Sequence, residues 1–146
     1  MMRRRLLVFA VVVFALLLTT LVASAITDGG YPDSAENYPH VGLMVAQDAD
    51  GTPMWRCSGT LLSPTVFLTA GHCTEAPAAS VEIWFNWNLE TNPNGYPFTG
   101  EVSGTPYTHP DYNPNAFVYR DVGVVVLDEP YYGSNGEFGT LPTLNQ

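Results

Sequence analysis

The chain has 146 residues, 46 % hydrophobic and 13 % charged, with five basic residues against 14 acidic ones for a formal charge of −9. That length allows one ordinary domain and hardly two. Beyond residue 25 only Arg56 and Arg120 stand against all 14 acids, a formal charge of −12 that speaks against a nucleic-acid partner, because nothing offsets phosphate repulsion. The acidity is read as solubility outside the cell.

The first element is Met1-Met2-Arg3-Arg4-Arg5, an apolar run from Leu6 to Leu18, and the small-residue sequence Ala23-Ser24-Ala25. This order is that of a secretory signal peptide over residues 1–25, cleaved before Ile26. An uncleaved membrane anchor is the competing reading, and it would be the chain's only contact with a membrane. Secretion is therefore the expected localisation.

Short β-rich runs follow, separated by Gly, Pro, Asn and Asp. Strands are predicted at Val41–Ala46, Met54–Leu62, Thr65–Thr69, Val81–Phe85, Gly100–Tyr107 and Val122–Leu127. Asp48-Ala49-Asp50-Gly51 reads as a hairpin turn; an EF-hand would need many more ligands than this turn offers. Asn86 to Pro97 is a polar loop, and His109 to Asn115 is another turn-dense stretch. No sustained helical period follows the signal, so the expected fold is all-β, a small antiparallel barrel or sandwich. Residues 131–146 read as a linker or surface segment.

The chain has two cysteines, Cys57 and Cys73. In a secreted chain an even pair reads as one disulfide, worth on the order of 3 kcal/mol for a loop of about 15 residues. A metal site is the alternative, but His40, His72 and His109 show no ligand spacing that supports one. No cofactor or metal is called for.

Chemistry concentrates in Cys57-Ser58-Gly59-Thr60-Leu61-Leu62-Ser63-Pro64-Thr65-Val66-Phe67-Leu68-Thr69-Ala70-Gly71-His72-Cys73. An apolar strand ends in small residues and presents a histidine beside a half-cystine, which is a rigid mount for a general base. Thr69-Ala70-Gly71-His72-Cys73 resembles the catalytic-histidine motif of the trypsin/chymotrypsin family of serine peptidases, where Ala usually stands in place of Gly71, as it does not in many bacterial-type members. Cys57 resembles the half-cystine that pairs with the cysteine beside that histidine. Downstream, Asp121-Val122-Gly123-Val124-Val125-Val126-Leu127 resembles the family's aspartate and its apolar strand, preceded by His109-Pro110-Asp111-Tyr112-Asn113. Arg120 stands where the family usually has Asn.

The resemblance implies a six-stranded antiparallel barrel of the trypsin-like type over residues 26–130, with an inter-barrel linker beginning in residues 131–146. It implies a secreted endopeptidase working through an acyl-enzyme. His72 would be the base, and Asp121 would orient it and stabilise its charged form. Asp111 and Asp128 are poorer candidates, lying in a turn and at a strand exit. Ile26-Thr27-Asp28-Gly29-Gly30 is similar to the family's mature N-terminus, which makes Ile26 the candidate first residue. None of Ser34, Ser58, Ser63, Ser80, Ser103 or Ser134 has the Gly-Asp-Ser-Gly-Gly context of the family's nucleophile. The expectation is thus an N-terminal half, inactive by itself. Its second barrel is missing, and its substrates would be proteins or peptides. The alternative is a secreted, non-catalytic binding module derived from such a barrel. Two further readings weigh less. A Cys73–His72 hydrolase conflicts with adjacent side chains that point apart and with oxidation of an exported thiol. A carbohydrate platform of Trp84, Phe85, Trp87 and Tyr96 competes with their use as core and rim.

Overall fold

A computed structural model describes residues 37–86, 88–89, 95–116 and 118–143. Residues 1–25, read above as a signal peptide, together with Ile26 and Trp87, lie outside the described residues. Six strands run in chain order: β1 (Val41–Gln47), β2 (Pro53–Ser63), β3 (Val66–Thr69), β4 (Ser80–Trp84), β5 (Val102–Thr108) and β6 (Gly123–Leu127). Every pairing is antiparallel, and the order β1-β2-β3-β6-β5-β4 closes on itself through β1 and β4. Closure leaves no free sheet edge, which matters for strands as short as β3. The fold is all-β, a six-stranded barrel.

Alternation explains the core. On β6 Gly123, Val125 and Leu127 are buried while Val124 and Val126 are not, the period of two that a strand imposes. Met44, Leu61, Phe67, Val81, Ile83 and Val125 fill the interior with no exposed surface. Trp84 is equally buried and meets Tyr96 edge-on at 5.3 Å. This aromatic pair is core and rim, and Trp84 has no face free for a sugar.

Strand ends shift by one or two residues where a bond outside the ladder captures the backbone N–H. Gly100 donates its N–H to a Glu82 carboxylate oxygen at 2.7 Å, so β5 starts at Val102 and not at Gly100. Val122 donates to the Arg120 carbonyl at 2.8 Å, so β6 starts at Gly123. In the turn between β1 and β2, Asp48 Oδ1 accepts the N–H groups of Asp50 and Thr52 at 3.0 and 2.8 Å, and Gly51 takes φ +77°. The Asp48 carboxylate is occupied by the turn itself.

Beyond β6 the chain stays fastened to the barrel. Tyr131 donates its N–H to Pro64 O, stacks on Phe85 with centroids 4.6 Å apart, and gives its hydroxyl to Glu101 at 2.7 Å. Gly139 donates to Leu61 O at 2.7 Å, and Phe138 packs on the core. Leu61 and Phe67 together anchor β2 and β3 under the residues that follow. Phe67→Ala should therefore cost about 3–5 kcal/mol, measured as a shift of the denaturant midpoint with an unchanged slope.

Candidate active site

β3 ends at Thr69, Ala70 stays extended, and Gly71–Cys73 form one turn of 3-10 helix that carries His72. Three contacts hold this turn. The disulfide joins Cys73 to Cys57 on β2. The Trp55 indole donates Nε1–H to Cys73 O at 3.0 Å. Thr74 Oγ1 donates to Gly71 O at 3.1 Å and lies 3.0 Å from Thr108 Oγ1 on β5. A neighbouring contact, Thr69 Oγ1 to Ser58 O at 2.9 Å, ties the end of β3 to β2.

Asp121 precedes β6, and β6 pairs with β3 in the register Thr69↔Gly123. This register brings residues 49 apart in sequence into contact. Asp121 Oδ1 accepts the His72 backbone N–H at 2.8 Å, and Oδ2 lies 2.8 Å from His72 Nδ1. A carboxylate can only accept, so Nδ1 carries the proton and the other ring nitrogen, Nε2, carries the lone pair. The Asp121 side chain is 21 % exposed and that of His72 52 % exposed, so the clasp is sheltered and the ring is open to solvent.

Gly123 is required for this approach. A Cβ there would lie 2.3 Å from Thr74 Oγ1 and 2.7 Å from Ala70 O. Gly71 is a milder case, since an added Cβ would meet Asp121 Oδ1 and the Tyr112 ring at 3.2 Å. Tyr112 thus covers the backbone of the turn. Its hydroxyl pKa is pushed up by desolvation, then by the charges of Glu75 and Asp121.

The electrostatics of Asp121 are a contest. Desolvation pushes its pKa up, but hydrogen bonds from the His72 backbone and ring, the His72 charge and the Gly71 backbone outweigh that and hold it below the usual carboxylate range. Arg120 sits at φ +55° in the left-handed region. Asn enters that region more readily than Arg, which gives a physical reason for the family's usual Asn there. Arg120 also pairs with Asp111 at 2.7 Å, both side chains 59 % exposed, so Asp111 faces an arginine and not the imidazole. Asp128 accepts the Ser103 hydroxyl on β5. Donor atoms of Cys57, His72 and Cys73 lie within 4.8 Å of one another, but the two sulfurs are bonded to each other and offer no thiolate. That bond also removes the thiol a Cys73–His72 hydrolase would need.

Sequence reading missed Trp55, Thr74 and Thr108 as supports. Trp55 reaches Cys73 from β2 and Thr108 meets Thr74 from β5, which no local pattern marks, while the bond from Thr74 to Gly71 lies within the turn itself. Tyr112 lay in a motif already singled out, though its position over Gly71 was not legible.

A barrel with a His–Asp pair at the mouth of one strand junction defines a trypsin-like domain. The family model described as Trypsin matches residues 27–146, and the chain belongs to the trypsin family. It is 31 % identical over 117 residues to Serine protease 1 of Drosophila melanogaster, covering 80 % of this chain and 41 % of that protein. It is 30 % identical over 105 residues to Venom serine protease Bi-VSP of Bombus ignitus, covering 69 % of this chain and 29 % of that one. The chain thus spans about two-fifths or less of these relatives' length. Among solved structures, HL collagenase superposes with a TM-score of 0.61 at 23 % identity, covering 79 % of this chain and 47 % of the other. The structure of GrC gives 0.59 at 21 %, with 81 % and 50 % covered. These two likenesses bear on the fold alone.

The depressed Asp121 pKa makes stability pH-dependent. An ionised Asp121 stabilises the fold fully above the unfolded carboxylate value of about 3.9, and this contribution is lost as pH falls through the lower folded value. Asp121→Asn should lower the denaturant midpoint near neutral pH, and its difference from the parent chain should shrink below about pH 3.9. An undiminished difference in acid would count against the clasp.

Proposed function

We propose that this chain is the first barrel of a secreted serine endopeptidase, with residues 1–25 as its signal peptide and Ile26 as its mature N-terminus. The observation that carries the reading is the double clasp of Asp121 on His72, through the backbone N–H and Nδ1. In the proposed reaction Nε2 of His72 takes a proton from a serine hydroxyl as that oxygen attacks a peptide carbonyl. Asp121 stabilises the imidazolium that results, and His72 then returns the proton to the leaving amine. The acyl-enzyme is cleared by water through the same base.

The serine, the oxyanion donors and the specificity pocket are assigned to a second barrel outside this sequence, and residues 131–146 to the start of the connection. The chain's share of its relatives' length supports this assignment. So does the outer face of the barrel. Val66 and Leu68 on β3, Val124 and Val126 on β6 and Tyr107 on β5 share one side through their cross-strand registers. These five side chains are uncharged, and Val126 and Tyr107 are 43 % and 54 % exposed, a surface that suits burial against another body. The acyl-enzyme reading needs no metal. By itself the chain should not hydrolyse peptides.

The intact mass of the mature protein from its natural source tests the proposal. A mass about twice that of Ile26–Gln146 is expected. A mass matching Ile26–Gln146 alone would replace the reading with a non-catalytic binding module.

A further inference from the structure

We infer that the chain by itself carries a second, serine-independent activity: nucleophilic acyl transfer at His72, with activated acyl donors such as aryl esters as substrates.

The inference follows from comparing the three histidines of the described residues. A neutral imidazole is a nucleophile only at the nitrogen that holds the lone pair, and hydrogen bonding to the other nitrogen decides which one that is. At His72 the acceptor-only Asp121 carboxylate sits 2.8 Å from Nδ1, so the lone pair is on Nε2. Among the described residues nothing hydrogen-bonds Nε2, and the side chain is 52 % exposed. His109 is arranged in the opposite sense. The Asp111 backbone N–H, which can only donate, points at its Nδ1 at 3.1 Å. That lone pair is engaged and the proton is on Nε2. At His40, Nδ1 is buried with no partner, so no carboxylate holds its tautomer. His72 alone presents a fixed lone pair to solvent with an anion behind it.

The chemistry balances without a further reactant. Nε2 attacks the acyl carbon, and the aryloxide leaves with the electron pair of the broken C–O bond. The acyl-imidazolium formed is cationic and lies against the Asp121 carboxylate, which stabilises it as it would an imidazolium. Water adds to the acyl carbon, the carboxylic acid departs, one proton of that water passes through solvent to the aryloxide, and Nε2 recovers its electron pair. The sum is one ester and one water giving one acid and one phenol. Amides fall outside this reach, because their amine leaves far less readily than an aryloxide. Asp121 is a positioning residue here, acting through the ring.

The test is release of 4-nitrophenol from 4-nitrophenyl acetate by the purified, oxidised chain, with acid-quenched peptide mapping to locate the acetyl group. His72→Ala and His72→Gln should both lose the whole rate increment over buffer while keeping the parent's circular dichroism. His109→Ala should keep it. Asp121→Asn should lower it about tenfold, the scale of one charge-assisted hydrogen bond felt in the transition state. The mapped acetyl group in the parent should sit on the peptide containing His72, and its occupancy should fall in Asp121→Asn. An unchanged increment in both His72 variants, or an acetyl group mapped to His109 or His40, would overturn the inference. The assay needs neither a serine nor a second barrel, so its failure leaves the endopeptidase reading untouched.

Discussion

A sheltered carboxylate that must find its hydrogen-bond donors organises this domain. Asp121 has lost most of its water, and its donors come from Gly71 and His72 on a single turn. Leaving such a charge unpaired would be far more costly than forming any one of these bonds. The turn must therefore sit against the start of β6, which requires β3 and β6 to be neighbours although the whole of β4 and β5 separates them in sequence. The barrel order supplies that neighbourhood. Fold and site are thus one constraint seen from two distances.

The supports around the turn divide the work. The disulfide and the Trp55 indole fix its C-terminal end to β2, Thr74 and Thr108 link it to β5, and Gly123 lets it lie close to β6. Three strands thereby hold one three-residue turn. A histidine mounted this way has little freedom left to lose, and pre-organisation of this kind is what a positioned general base would need. The exposed ring edge and the more sheltered carboxylate give the pair a direction, with the negative charge held behind the ring and a lone pair presented to solvent.

The surface tells a separate story. Acidic residues dominate, yet the face shared by β3, β6 and β5 carries valine, leucine and tyrosine in their place. A charged coat keeps a small barrel apart from its neighbours, and these apolar side chains interrupt that coat on one side.

Much of this was legible in the sequence for local reasons. Alternating apolar residues between Gly, Pro and Asx clusters locate all six strands to within a residue or two, because a strand's period of two and a turn's need for special residues are properties of a few neighbours. Thr69-Ala70-Gly71-His72-Cys73 and the run from Asp121 to Leu127 point to the two site residues through resemblance, since each string is contiguous. Only the tertiary structure decides the rest. It sets which strands close the barrel, assigns Asp111 to Arg120 and Asp121 to His72, and puts Trp55 and Thr74 under the turn. It also fixes the tautomers of His72 and His109. Where a pairing joins residues distant in the chain, as Asp121 does with His72 and Trp55 with Cys73, the hydrogen bond depends on where two groups meet in space, which no local pattern records.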